Sequence, residues 1–94
     1  LMPGAMSDFE QKILRNLVPS LEQTAEGRVA LIDIMQAMAK ARMRFSEEAN
    51  KMAIANRGIL PPEWDARKVR LMKEEMARIA QLNSDIANRF KGAK

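Results

Sequence analysis

A chain of 94 residues has room for one domain, and a domain of this size buries only a modest share of its surface when it folds alone. The sequence contains neither cysteine nor histidine, which excludes disulfides, thiolate and imidazole metal ligands, and the most common catalytic base. Sixteen basic side chains against twelve acidic ones leave a net charge of +4, which suits an acidic protein surface or nucleic acid but is low for a dedicated nucleic-acid coat.

The first six residues lack the basic and long apolar stretches of a signal peptide. Because Met6 could be the natural start, residues 1–6 are interpreted as a cloning remnant or a disordered start, and residues 7–94 as a single helical domain. No apolar run reaches the roughly 18 residues that a membrane span needs, so we expect no membrane association. The absence of cysteine fits a reducing compartment, and the expected location is the cytoplasm.

A short first helix is predicted over about residues 7–18. Ser7-Asp8-Phe9-Glu10 has the form of a capping box, in which the serine oxygen accepts from one backbone amide and the glutamate reaches back to another. Pro19 disfavours helical geometry in the residue before it, so the helix is expected to end near Val18.

A long second helix is predicted over about residues 20–57. A second capping box begins at Ser20, and no proline interrupts the stretch that follows. The helix could bend or break at Gly27 or Ser46, and the sequence leaves this open. Between residues 29 and 39 it is apolar nearly all round, which is typical of a helix that is buried on more than one side.

The third helix, predicted over about residues 62–91, follows the second after a short, stiff connection. Gly58 can supply the left-handed residue that ends a helix, and Pro62 suits the first turn of the next one. Helices joined so closely are usually antiparallel neighbours, so a helical hairpin is expected. The predicted fold class is therefore all-α, with a short N-terminal helix followed by a long antiparallel helical hairpin.

Steps of three and four separate a set of residues in the third helix, here called the C-terminal seam: Val69, Met72, Met76, Ile79, Asn83, Ile86 and Phe90. This spacing is a coiled-coil heptad. Asn83, its one polar member, is predicted to select one register and oligomer state by pairing with another asparagine or a backbone group. Because one neighbouring helix cannot cover the wide apolar face of the second helix, we expect a homodimer that forms a four-helix-type bundle.

Three apolar side chains are predicted to bind a protein partner: Trp64, Leu71 and Leu82. Leu71 and Leu82 lie outside the C-terminal seam on a second face of the same helix, which implies a second neighbour, either the first helix or a symmetry mate. Trp64, at a helix start, is interpreted either as closing the end of the bundle or as an exposed anchor at an interface.

A set of basic side chains supports an alternative, binding to nucleic acid. An antiparallel hairpin could merge its two clusters into one patch, and phosphate recognition depends more on such charge than on fine geometry. Glutamates are interleaved with these residues, so ordinary solvated helix faces explain the same pattern. The residues are Lys40, Arg42, Arg44, Arg67, Lys68, Arg70 and Lys73.

We find no motif for a cofactor, a metal or an enzymatic nucleophile, and we expect a protein that is not an enzyme. Arg28-Val29-Ala30-Leu31-Ile32-Asp33 loosely resembles the opening Arg and Ile-Asp pattern of the all-helical chorismate mutases. The resemblance implies, as a remote alternative, a helical dimer that surrounds a dicarboxylate substrate with arginines, a lysine and a glutamate or glutamine. The sequence departs from that family afterwards, because Arg67-Lys68 stands where an Arg-Glu pair is expected.

The leading hypothesis from the sequence is a small regulatory or inhibitory protein of bacterial or phage type. It would act through a preformed helical surface that binds another macromolecule, a protein rather than nucleic acid, and blocks or chaperones it.

Overall fold

The computed structural model describes residues 4–90 of the chain. In that range the chain forms three α-helices and no strand: α1 (Gly4–Leu21), α2 (Ala25–Ala55) and α3 (Glu63–Arg89). The all-α class and the order of a short helix followed by a long hairpin are as predicted. Each helix contacts the other two, and the described residues form an elongated body of 55 × 18 × 17 Å.

Helix α1 begins earlier than the sequence suggested. Ser7 lies inside the helix rather than at its cap, and Met6 is fully buried, so the interpretation of residues 4–6 as a disordered start is wrong. The reason is tertiary packing, because Met6 continues the buried face that Glu10, Ile13 and Leu17 form one turn after another. Residues 1–3 lie outside the described residues.

Helix α1 also continues past Pro19, to Leu21. A proline in the last turn costs its own amide hydrogen bond, but little helix remains beyond it to be lost. The Ser20 hydroxyl donates to the Leu17 carbonyl at 3.0 Å, and Leu21 is buried in the core. Burial of Leu21 therefore outweighs the local preference for ending the helix at Val18.

Thr24, rather than Ser20, caps helix α2, since its hydroxyl accepts from the Gly27 amide at 2.9 Å. Gly27 is required here for a reason other than bending, since a Cβ at this position would overlap the Leu21 carbonyl group of α1. The helix is continuous through both Gly27 and Ser46. The predicted span of 20–57 was therefore too long at its start, and neither suggested break occurs.

The connection from α2 to α3 has the predicted character. Asn56 follows α2, after which Arg57 and Gly58 both adopt left-handed conformations, with φ of 57° and 89°. The side-chain Nδ2 of Asn56 donates to the Ile59 carbonyl at 2.9 Å and closes the turn. Pro62 immediately precedes α3, which returns antiparallel to α2.

The buried face of α3 is rotated from the C-terminal seam by roughly 70°, at about 100° per residue. Ile79 and Ile86 are buried as the seam predicted, but Val69 is 43% exposed and Leu71 takes a place in the core instead. The centre of the buried face is Glu75, a charged residue that hydrophobic periodicity alone assigns to the surface. The predicted seam missed this rotation because its spacing leaves out both Leu71 and Glu75, which lie on the buried face.

Candidate functional site

The most enclosed charged group of the hairpin is the Glu75 cluster, defined as Arg44 of α2 with Glu75 and Arg78 of α3. Glu75 is 1% exposed, and both of its carboxylate oxygens accept from Arg44. Arg78, one turn further along α3, donates to the same two oxygens at 3.1 and 3.2 Å. The carboxylate is thus fully paired by two guanidinium groups, an arrangement that satisfies a buried charge.

A groove of about 230 Å³ lies beside this cluster, and both basic and acidic side chains line it. Arg67 of α3 donates to Glu48 of α2 at 3.4 Å across the groove, and Glu47 and Glu74 complete its rim. Because the charges alternate in sign, the groove concentrates neither a positive nor a negative field. These ion pairs connect α2 to α3.

A second buried carboxylate, Glu10 of α1, faces Arg42 of α2 at 3.2 Å. Its Oε2 atom is buried without a hydrogen-bond partner among the described residues. Burial raises the pKa of Glu10 above its usual value of 4.5, and the nearby Arg42 guanidinium opposes that rise only in part. Glu10 therefore connects α1 to α2 at an energetic cost when it is ionised.

The seven basic residues predicted for nucleic acid divide into two groups. Arg42, Arg44, Arg67 and Lys68 each lie within ion-pair distance of a carboxylate, whereas Lys40, Arg70 and Lys73 are exposed and form no ion pair within residues 4–90. The hairpin does bring the two predicted clusters together, since Arg44 and Arg67 line one groove. Glutamates neutralise them there, and the nucleic-acid role stays a prediction.

The three predicted partner anchors lie mainly in the chain's own core. Trp64 is 8% exposed and Leu71 is 5% exposed, while Leu82 is half-buried against the same core. A partner could reach Trp64 or Leu71 only if the hairpin opened, so their role in binding stays a prediction. Asn83 is half-buried and lines a cavity of about 400 Å³ with Phe90 and residues from the end of α1, and its role in register is likewise untested.

One side of α2 is uncovered in the single chain, as the width of its predicted apolar face indicated. Leu31, Ile34 and Met38 are buried, but Val29, Ile32, Met35 and Met43 are each more than half exposed. Within one chain α2 therefore buries only one side, and the expected cover of its other side by a second copy stays a prediction. The exposed residues could have been recognised as a separate stripe, because most of them follow a heptad spacing of their own.

A second uncovered apolar surface is the hairpin tip, defined as Ile54, Ile59 and Leu60. Ile54 is 79% exposed and Ile59 is 69% exposed, values that are high for side chains of this size. The left-handed residues Arg57 and Gly58 fix the backbone that presents them. The tip is thus an apolar surface on a turn that a side-chain hydrogen bond closes.

The geometry does not assemble the chorismate-mutase pattern in one chain. Arg28 donates to the Glu22 carbonyl at 3.1 Å, and Arg44, sixteen residues further along α2, is bound to Glu75. At about 1.5 Å per residue, roughly 24 Å separates the two arginines along the helix. They cannot enclose one small dicarboxylate.

In the described part of the chain, no group of three or more acidic side chains could hold a metal ion. Within residues 4–90, none of the helices combines the length and the apolar character that crossing a membrane requires. No protein-family model, curated protein or solved structure matches this chain.

Proposed function

We propose that this protein is a non-enzymatic helical interaction protein that self-associates and binds a macromolecular partner, which it blocks or chaperones. The hairpin tip is the observation that carries the proposal. Exposed aliphatic side chains that a hydrogen-bonded turn holds together can enter an apolar pocket at a smaller cost for ordering them than side chains of an open loop. A protein surface offers such a pocket, whereas a phosphate backbone does not.

The charged groups of the molecule support a binding role over catalysis. Glu75, the most buried carboxylate, accepts four hydrogen bonds from two arginines and has no free lone pair directed at a cleft. An enzyme needs an acid, base or nucleophile within reach of a substrate. The groove beside Glu75 instead holds ion pairs that connect α2 to α3.

Nucleic-acid binding is the competing function, and the exposed residues Arg70 and Lys73 provide a direct comparison. A tagged chain is used to retain partners from an extract of its own source, with and without nuclease. We expect a nuclease-resistant protein to be retained, to be lost in an Ile59→Asp, Leu60→Asp variant, and to persist in an Arg70→Glu, Lys73→Glu variant. All four residues are exposed, so these substitutions leave the core intact.

The opposite pattern overturns the proposal. If retention disappears with nuclease, falls steeply between low and moderate salt, and is abolished by reversing the charges of Arg70 and Lys73, the protein binds nucleic acid. Replacing Trp64 or Leu71 would not discriminate between the two functions, because both side chains belong to the core.

A further inference from the structure

The uncovered side of α2 carries a heptad of its own. We call the residues of this heptad the outer face of α2, and along the chain they are alternately three and four residues apart. Its a positions carry Val29, Gln36, Met43 and Asn50, and its d positions carry Ile32, Ala39, Ser46 and Ala53. Such spacing places residues in one line along a helix and is typical of a two-stranded coiled coil.

The outer face of α2 points away from the rest of the chain. The buried residues of α2, such as Ala30, Ile34 and Ala41, form the opposite side of the helix and pack against α1 and α3. Val29, Ile32 and Met43 are each more than half exposed. A second helix could therefore lie along this face without displacing α1 or α3.

Charges at the two edges of this face identify the partner and its direction. One edge, the g positions, carries Arg28 and Arg42, and the other edge, the e positions, carries Asp33 and Glu47. In a parallel pair of helices each g residue faces the e residue five positions later in the other chain. Arg28 then faces Asp33 of the second copy, and Arg42 faces Glu47 of the second copy, twice each by symmetry.

The two remaining edge pairs agree with this arrangement. Met35 would face Lys40 of the second copy, and Ala49 would face Ile54 of the second copy, so no like charges meet. Arg42 already donates to Glu10 at 3.2 Å, but its side chain is 58% exposed, and a guanidinium has five N–H donors. One of them can pair with a second carboxylate.

The same edge charges would make an antiparallel pair less favourable. Its g edges would face each other, and the only charged residues of that edge are Arg28 and Arg42. A parallel pair also places Gln36 opposite Gln36, and Asn50 opposite Asn50, where the amides can hydrogen-bond to each other across the symmetry axis. Polar residues at a positions are known to select register in this way.

We propose that a second copy of this chain covers the outer face of α2, parallel and in register with the first. The inference rests on the self-association in the proposed function and specifies its surface and direction. Because α2 ends at the hairpin tip in both copies, the two tips lie side by side at the same end of the dimer. The dimer thus presents Ile59 and Leu60 twice on one surface.

Single-cysteine variants test this arrangement directly, because the natural sequence has no cysteine. We expect Ile32→Cys and Ser46→Cys each to form a disulfide-linked homodimer on mild oxidation. The two positions are about 21 Å apart along the helix, so an antiparallel pair can bring at most one of them next to itself. Ser84→Cys, an exposed serine on α3, is the matched control and should remain a monomer under denaturing conditions without reductant.

Light scattering on the natural chain, which has no cysteine, shows whether a negative crosslinking result means another arrangement of the dimer or no dimer at all. We expect a dimer whose dissociation constant increases about 100-fold in Met43→Glu, because that change places a charge in the apolar line, while the helical content of the monomer is unchanged. A wild-type dimer in which only one cysteine position crosslinks, or in which Ser84→Cys crosslinks equally well, overturns the parallel arrangement alone. A wild-type monomer that still retains a protein through its tip overturns the inference and leaves the partner-binding function standing.

Discussion

Replacing Glu75 shows whether its ion pairs stabilise the fold or only satisfy a buried charge. Glu75 is almost completely buried, but its partners Arg44 and Arg78 have side chains that are 43% and 60% exposed. Transferring the carboxylate from water costs several kcal/mol, and the ion pairs recover a comparable amount. When the carboxylate is removed, both arginines can turn towards water, so neither is left as an isolated buried charge.

The expected order of stability follows from this balance. Glu75→Met fills the same space without the desolvation cost, and we expect it to change the free energy of unfolding by less than about 1 kcal/mol. Glu75→Ala also leaves a cavity, so it should cost about 2–3 kcal/mol more than Glu75→Met. Glu74→Met, at the exposed neighbouring position, is the matched control and should have little effect.

Urea unfolding followed by circular dichroism, at one chain concentration and neutral pH, measures these differences. A loss of more than about 3 kcal/mol in Glu75→Met, with unchanged helical content, would mean that the ion pairs are a net source of stability and do more than offset the desolvation of Glu75. Equal losses in the methionine and alanine variants would also contradict the expected order of stability, because packing would then play no part.

Three further changes test the contacts of α1 and the start of α2. Gly27→Ala should lower the free energy of unfolding by about 2–3 kcal/mol, because its Cβ would overlap the Leu21 carbonyl. The same change at an open helical site raises stability. A higher melting temperature for Gly27→Ala than for wild type would refute the close approach. Thr24→Ala should cost about 1 kcal/mol through loss of the helix cap, and Thr24→Ser much less, as urea titrations of the two would show. Burial raises the pKa of Glu10 above its unfolded value, so the contribution of this carboxyl group to stability is fully present below pH 4.5 and is lost as the pH rises through the folded pKa. Glu10→Gln should therefore be more stable than wild type at neutral pH, and the difference in the free energy of unfolding should shrink towards zero in acid. A constant difference from pH 3 to 7 would exclude this explanation.

The hairpin could be predicted because its signals are local. Gly58 and Pro62 determine backbone conformation within a few residues, and the structure places the turn where these residues indicated it. The boundaries of α1 could not be read in this way. Pro19 is a local signal for a helix end. Burial of Leu21, in contrast, depends on helices that follow later in the chain, and this burial decides where α1 ends.

The face of α3 shows a different limit of sequence patterns. Hydrophobic periodicity alone places Glu75 at the surface, because charged residues are rarely buried without a partner. Its partner Arg44 lies 31 residues earlier in the chain, so periodicity within α3 contains no trace of the pair. The outer face of α2, in contrast, could have been predicted, because the spacing of Val29, Ile32 and Met43 is visible in the sequence alone.

Trp64 makes the end of the hairpin separately observable. It is the single tryptophan of a sequence without tyrosine, and it is buried beside the tip, while the Glu10 to Arg42 contact places α1 alongside the part of α2 further from the tip. Fluorescence therefore reports local opening at one end, whereas circular dichroism averages all three helices. Non-coincident transitions would show that this end frays as its own cooperative unit.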